Sequence, residues 1–186
     1  MDVSGIDLST AMVEQLRAKP GGDAVPVVIG DMTTTRVDGD FDLVYLVFNT
    51  IGNLTEQDDQ VACFGNAAAH LRPGGAFVIE TGVPGARSLA PTESFRVFHH
   101  GDAHVGIDEY DPATQRMFSH HYLRQADGSY LRRSLPFRYT WPAELDLMAR
   151  LAGLRLRERW ADWSRTPFTA ASESHVSVWE KPATNS

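Results

Sequence analysis

Short apolar strands alternate with helices through the first 82 residues, and this alternation constrains the fold more than any other feature of the chain. The predicted strands cover residues 3–6, 25–29, 41–48 and 76–81. Helical patterns follow from Ser9 and over 57–72. Strands and helices alternating at this spacing are typical of a parallel sheet with helices on its faces. The sequence therefore predicts an α/β domain.

The pattern changes after Gly82. Residues 93–141 contain four stretches rich in aromatic and β-branched side chains, with Asp-Pro and Asp-Gly turns between them. This predicts short antiparallel strands, inserted over 85–141 and laid over one end of the parallel sheet. A further helix to Leu151 and two closing strands complete a single predicted domain over 1–186.

The amino-acid composition limits the classes of protein to which this chain can belong. The chain has 186 residues, of which 42% are hydrophobic and 22% charged, and its net charge is -7. An acidic balance argues against a nucleic-acid partner, which would favour a basic surface. No apolar run approaches the ~20 residues that span a bilayer, and the first residues lack a signal peptide's basic region. We expect a cytoplasmic protein with no membrane partner, whose single cysteine, Cys63, is an inert core thiol.

An acidic residue follows each of the first two predicted strands. Asp7 follows the strand at 3–6, and Asp31 follows the strand at 25–29. Parallel strands end at the edge where open α/β sheets bind ligands. Asp7 is therefore predicted to accept hydrogen bonds from both hydroxyls of a ribose, and Asp31 from an adenine amino group. For each acid the alternative is a local turn or helix cap.

Neighbouring residues extend this predicted nucleoside site. Leu8 follows the first acid, and Met32 offers an apolar face and a backbone N–H to a ring. The strand at 41–48 is apolar almost throughout, as expected of a strand covered on both faces. Phe48 and Asn49 at its far end are predicted to line the donor pocket, although Asn49 is equally well interpreted as closing a turn.

These elements, in this order, resemble the Rossmann-like (class I) S-adenosylmethionine-dependent methyltransferases. Residues 5–9 resemble the family's ribose-binding strand and helix start, and residues 30–32 resemble its adenine-binding turn. Residues 71–75 are similar to its helix-to-strand turn. The resemblance runs from about residue 3 to residue 80 and continues more loosely through the last helix and two strands.

The resemblance implies a fold, a cofactor and an activity. The fold is a mostly parallel sheet with helices on both faces, and the inserted strands over 85–141 form a substrate lid. The cofactor is S-adenosylmethionine, and the activity is methyl transfer to N or O of a small molecule. The residues expected to bind the cofactor are Asp7, Leu8, Asp31, Met32, Phe48 and Asn49.

The family's first strand and its glycine-rich turn match nothing in the sequence. We therefore expect a chain truncated at its N-terminus and impaired in activity, as a fragment of a longer natural protein. The alternatives are that the gap closes, or that a homodimer or a partner chain completes the sheet. The alternative function is a non-catalytic, methyltransferase-like relic that acts as a binding or regulatory subunit. A nicotinamide-dependent dehydrogenase also uses an acid after its second strand, but residues 31–32 and 71–75 count against it.

A general base is needed only if the acceptor arrives protonated. The candidates on the inserted strands are His99, His100, His120, His121 and Tyr122, of which His120 and His121 are adjacent. Adjacent strand residues point to opposite faces, so at most one of the two histidines can face a pocket. The same divergence argues against a shared metal, and no metal site is predicted. Arg132, Arg133 and Arg138 are interpreted as solvated faces of edge strands, with binding of an acidic substrate as the alternative.

Overall fold

The strands of the chain form three separate sheets in a computed structural model, which describes residues 2–183. The strands are β1 (Gly5–Asp7), β2 (Val27–Ile29), β3 (Phe41–Leu46), β4 (Leu71–Gly82), β5 (Phe95–His100), β6 (His104–Asp111), β7 (Arg116–Arg124), β8 (Tyr130–Arg138), β9 (Arg155–Trp160) and β10 (Ser174–Glu180). The helices are α1 (Thr10–Arg17), α2 (Gln57–His70) and α3 (Pro142–Leu151). Short 3-10 turns lie at Gly22–Ala24, Thr50–Asn53 and Gly85–Ser88.

The strands that the strand–helix alternation predicts lie in two of the three sheets. β1 and β2 pair in parallel, and the second sheet has the order β3-β4-β10-β9. In that sheet β3 is parallel to β4, whereas β10 is antiparallel to both of its neighbours. Ser9 caps α1 as predicted, because its hydroxyl accepts a hydrogen bond from the Met12 amide at 3.3 Å.

The core lies between the four-stranded sheet and the helices α2 and α3. Phe64 on α2 meets Phe77 and Trp179 of the sheet edge to face, with ring centroids 5.1 and 5.3 Å apart. All three rings are fully buried, as is Leu145 on α3. Burial of each such side chain stabilises the fold by about 1.5–3 kcal/mol. Cys63 belongs to this cluster, where burial raises the pKa of its thiol to about 12 and keeps it protonated.

The third sheet, called here the outer sheet, is the antiparallel meander β5-β6-β7-β8. Arg138 at the end of β8 joins it to the core and is buried, so the interpretation as a solvated edge residue is wrong. Its guanidinium donates to Gln60 Oε1 at 2.5 Å, to Gln115 Oε1 at 3.0 Å and to Glu144 Oε1 at 2.6 Å. A buried cation needs this full set of partners, because desolvation costs several kcal/mol.

A cavity of about 310 Å³ separates β1 from β3. Ser4, Gly5 and Ile6 line one side, β3 lines the other, and α2 closes the floor. Within residues 2–183, no strand joins the β1–β2 pair to the four-stranded sheet. The two parallel pairs are therefore held by loops and side chains, not by one continuous ladder. None of the three helices in this part of the chain is long and apolar enough to cross a membrane.

Candidate active site

The two predicted nucleoside-binding acids lie at the same edge of the β1–β2 pair. Asp7 is the last residue of β1, and Asp31 follows β2 by two residues. The Gly30 amide donates to the Asp7 carbonyl at 3.0 Å, which ties the two strand ends together. Because β1 and β2 run in parallel, both carboxylates are presented at the carboxyl edge, where open α/β sheets bind ligands.

Each carboxylate is held by its own loop through one oxygen. Asp7 Oδ1 accepts from the Ser9 amide at 2.7 Å. Asp31 Oδ1 accepts from the Thr33 amide at 2.8 Å and from its hydroxyl at 2.7 Å. The backbone bond from Thr33, followed by its hydroxyl bond, lowers the pKa of Asp31. The carboxylates are thus oriented acceptors, and hydrogen bonds within residues 2–183 leave their Oδ2 atoms free.

Leu8 and Met32 differ in exposure. Leu8 is exposed, so its side chain is available to a ligand but packs little against the protein. Met32 packs against the main core and lines the cavity between β1 and β3. Asn66 on α2 donates to the Met32 carbonyl at 2.9 Å and fixes the loop that follows β2.

Phe48 and Asn49 form an unusual end to β3. Both have left-handed backbones, with φ of 56° and 57°, a conformation that is uncommon for residues other than glycine and costs about 1–3 kcal/mol each. Asn49 Oδ1 accepts from the Gly82 amide at 2.6 Å and from the Thr81 hydroxyl at 3.0 Å, which anchors the turn to the end of β4. The Phe48 side chain is 87% exposed.

A second cavity, of about 410 Å³, lies between the carboxyl ends of β3 and β4 and the outer sheet. We call it the outer cavity. Asn49, Thr81 and Gly82 line it from the core. The side chains that line it from the outer sheet include Arg96, Phe98, Asp108, Tyr110, Met117, Ser119, His121 and Phe137.

The three base candidates on β7 lie on its two faces. His121 lines the outer cavity. His120 points to the opposite face, where its ring nitrogens contact Ser134 Oγ at 2.8 Å and Glu109 Oε2 at 2.9 Å. Tyr122 shares that opposite face with Arg132, whose guanidinium lies 5.9 Å from the phenol ring centroid. The structure therefore brings only His121 of these three residues to the outer cavity.

Two side chains that line the outer cavity, Asp108 and Tyr110, were not predicted as site residues from the sequence. Tyr110 donates its hydroxyl to Asp108 Oδ2 at 3.2 Å. Burial raises the pKa of the Asp108 carboxyl, and burial followed by the Asp108 charge raises the pKa of Tyr110. Arg96 lies across from Asp108 in the β5–β6 register. The available signal was the alternation of β6, which places residues 104, 106, 108 and 110 on one face.

Across residues 2–183, no group of three or more histidine, cysteine or acidic side chains is arranged to hold a metal ion.

Comparisons of this chain with protein families, protein sequences and solved structures all find methyltransferases. A family model described as a methyltransferase domain matches residues 1–75. The CcbJ methyltransferase from Streptomyces caelestis is 35% identical, with a TM-score of 0.85 over 98% of this chain and 76% of that chain. The cypemycin N-terminal methyltransferase of a Streptomyces species is 28% identical over 184 residues, which cover 96% of this chain and 74% of that protein.

A more distant structure shares the fold. CalS10, an amino pentose methyltransferase from Micromonospora echinaspora solved with S-adenosylmethionine, is 21% identical, with a TM-score of 0.67 over 96% of this chain and 73% of that chain. Together with the match to CcbJ, this confirms the predicted Rossmann-like α/β fold class. The chain belongs to the class I S-adenosylmethionine-dependent methyltransferase family.

Proposed function

We propose that this chain transfers a methyl group from S-adenosylmethionine to the nitrogen of a small-molecule or peptide amine bound in the outer cavity. The observation that carries the proposal is the composition of the outer cavity. One wall is the strained end of β3 at Asn49, and the other presents Asp108 and His121 from the outer sheet. The outer sheet thereby acts as the substrate lid.

The residues at the carboxyl edge of the sheets fit an adenosine group. Asp7 and Asp31 each keep one carboxylate oxygen free of protein partners in residues 2–183, and their loops orient them. Asp7 would hold the ribose, and Asp31 the adenine amino group, with Leu8 and Met32 against the ring. Phe48 and Asn49 would line the passage toward the outer cavity.

When bound, S-adenosylmethionine supplies a methyl group that its sulfonium has already activated. The part left to the protein is to place the acceptor in line and to remove its proton. His121 is suited to the second task, because its Nε2 lies 3.4 Å from the Ser119 hydroxyl at the cavity wall. A ring that carries its proton on Nδ1 leaves Nε2 unprotonated and able to accept the proton of the acceptor.

The charges of the outer cavity favour an amine over a hydroxyl acceptor. Asp108 is partly buried, and this burial disfavours the charged carboxylate and raises its pKa. A cationic ammonium beside the carboxylate would stabilise the charged form. Arg96 across the strand pair would bind a carbonyl or carboxyl oxygen of the same molecule. An α-amino group next to an acyl carbon satisfies both. The relatives named as an N-terminal methyltransferase and an amino pentose methyltransferase support a nitrogen acceptor.

Two measurements test the proposal. Calorimetric titration with S-adenosylhomocysteine should give micromolar binding, and the ligand should raise the melting temperature while NAD leaves it unchanged. Incubation with methyl-labelled S-adenosylmethionine should then label short peptides with a free α-amine or an amino sugar, but not the same peptides after N-acetylation. Binding without transfer to any amine would overturn the choice of acceptor.

One observation favours a second candidate function. Within residues 2–183 the β1–β2 pair and the four-stranded sheet share no ladder, and a cavity lies between them. A chain of this form could serve as a non-catalytic binding or regulatory subunit, as a homodimer or with a strand-completing partner. A well-folded sample that shows no heat of binding with S-adenosylhomocysteine would support this function.

A further inference from the structure

Three histidine side chains form a continuous row on the cavity-facing side of the outer sheet. The rings of His99 and His104 stack with centroids 4.7 Å apart. The rings of His104 and His121 stack at 5.1 Å and are nearly parallel, with an interplanar angle of 10°. The row crosses three strands, β5, β6 and β7, and is therefore fixed by their register.

A glycine makes room for the row. Gly106 stands opposite His121 in the β6–β7 register and opposite His99 in the β5–β6 register. A Cβ atom at this position would lie 2.3 Å from the Phe98 ring. The Phe98 ring fills that space and lies edge to face with His121, at a centroid distance of 5.5 Å. The histidines thus stand around an aromatic ring that holds them in place.

The two ends of the row have different surroundings. His121 is half-buried and lines the outer cavity, whereas His99 is exposed. Between them, His121 Nδ1 and His104 Nε2 are 3.0 Å apart, which is a hydrogen-bond distance. The other nitrogen of His121, Nε2, is directed to Ser119 at the cavity wall. The Nε2 atom of His121, in the cavity, is therefore connected through the rings of His121 and His104 to the outside of the cavity.

We infer that His121 and His104 form a two-ring relay that takes the acceptor's proton out of the outer cavity to solvent. This inference rests on the proposed function, because the acceptor amine supplies the proton. His121 is the candidate catalytic residue that would touch the acceptor. His104 is a positioning residue that acts through His121.

The relay conserves protons at each step. In the resting state His121 carries its proton on Nδ1 and donates it to His104 Nε2, so its own Nε2 has a free lone pair. The acceptor ammonium N–H bond breaks, its electron pair stays on the nitrogen, and the proton binds to His121 Nε2. The Nδ1 proton then passes to His104 Nε2, and His104 loses its Nδ1 proton to water. One proton enters and one leaves, and exchange with water restores both tautomers.

The charges around the row favour outward transfer. Partial burial, followed by the neighbouring His99 and His121, lowers the pKa of His104, which therefore releases a proton readily. The other charged groups that face the pair within residues 2–183 include Asp108, on the same face of β6, and Arg133, opposite His121 on β8. Arg96 on β5 lines the outer cavity together with His121.

Nitrogen-detected NMR of the histidine rings tests the relay without any acceptor. At a pH above the pKa range of histidine, His121 of the wild-type protein should be protonated on Nδ1. His104→Phe keeps a stacked ring but removes the acceptor, and should move His121 to the Nε2 tautomer. His99→Phe, the matched control, should leave His121 unchanged. A wild-type His121 protonated on Nε2, or one unaffected by His104→Phe, would overturn the inference.

Methyl transfer gives the second readout, with the amine that the peptide and amino-sugar panel identifies. His104→Phe should slow transfer about tenfold, as for partial loss of general-base catalysis, and shift the acidic limb of the rate profile with KM little changed. His100→Phe, at an exposed position outside the row, should stay within about twofold. An unchanged rate profile in His104→Phe would refute the relay, while a wild type that methylates no amine would refute the proposed function instead.

Discussion

Single carboxylates determine what the carboxyl edge of this protein can bind. Asp7 and Asp31 are each held through Oδ1 by the loop that follows them, so the second oxygen of each is oriented before a ligand arrives. Preorganised acceptors lose little entropy on binding, which makes each contact effective. The same two side chains therefore provide the most direct measure of cofactor binding.

Replacing either acid by its amide should weaken binding of S-adenosylhomocysteine. Asp7→Asn and Asp31→Asn each remove a charge-assisted hydrogen bond of about 1.5–3 kcal/mol, so the dissociation constant should rise about tenfold or more. Calorimetry measures the change. The matched control is Asp102→Asn, which alters an exposed acid in the outer sheet and should have no effect. Equal affinities in all three variants would show that the nucleoside binds elsewhere.

A buried histidine outside both cavities should make folding stability depend on pH. Burial, followed by the Arg159 charge, lowers the pKa of His175 from 6.5 to about 4, and its Nε2 has no hydrogen-bond partner among residues 2–183. Between these values the unfolded chain binds the proton and the folded chain does not. Stability should therefore fall by about 1.4 kcal/mol per pH unit from pH 6.5 to about 4.

Urea denaturation across this pH range measures the slope. His175→Gln should flatten it, whereas His100→Gln, at an exposed position on β5, should leave it as in the wild type. The comparison concerns slopes, so a variant of lower overall stability is still informative. A wild-type stability that is constant from pH 6.5 to 4 would contradict the low pKa of His175.

At the scale of elements, one buried cation links the outer sheet to both core helices. Arg138 ends β8 and contacts Gln60 on α2 and Glu144 on α3. Thr140 adds a bond from its hydroxyl to Gln60 Oε1 at 2.8 Å. Within residues 2–183 the outer sheet is thus held against the four-stranded sheet by side-chain hydrogen bonds rather than by a strand ladder.

Removing this cation should be costly. Arg138→Met leaves Glu144 and Gln60 without their partner in a buried site, and the free energy of unfolding should fall by about 3–5 kcal/mol. Arg116→Met is the matched control, because it breaks the exposed ion pair with Glu56 and should cost at most about 1 kcal/mol. Urea denaturation compares the two. Similar losses in both variants would show that the Arg138 contacts contribute little.

Sequence patterns predicted the elements better than their ends and contacts. The outer sheet and the closing strands follow from alternation and turn residues, which act locally. The strand predicted to reach Phe48 stops at Leu46 instead, because contacts with the end of β4 hold Phe48 and Asn49 in a left-handed conformation. The histidine row and the burial of Arg138 depend on register and on distant partners, which periodicity within one strand does not contain.

At the scale of the whole molecule, the β1–β2 pair is the least supported part of the core. Its strands are three residues long and pair only with each other among the described residues. β4 and β10, in contrast, share a seven-residue ladder over the buried core. Regions with few ladder bonds open with a small free energy. A ligand that contacts both Asp31 and the end of β3 would join the two parts.

Amide hydrogen exchange should show this difference. Amides of β1 and β2 should exchange faster than those of β4 and β10, and S-adenosylhomocysteine should slow them selectively. The exchange of β10 serves as the internal control and should change little. Equal protection of both sheets without ligand would contradict the weak support of the β1–β2 pair.

The alternation of side chains along β7 also has an evolutionary consequence. His121 and Ser119 reach the outer cavity while His120 is engaged on the reverse side. A single residue inserted or deleted in the hairpin before β7 would shift the register of the strand by one position. Because successive strand residues point to opposite faces, the side chains that face the cavity and those on the reverse side would then change places. Point substitutions at every second position can instead reshape the wall one side chain at a time. Divergence of substrate choice in such proteins should therefore proceed by replacement, with hairpin length held constant.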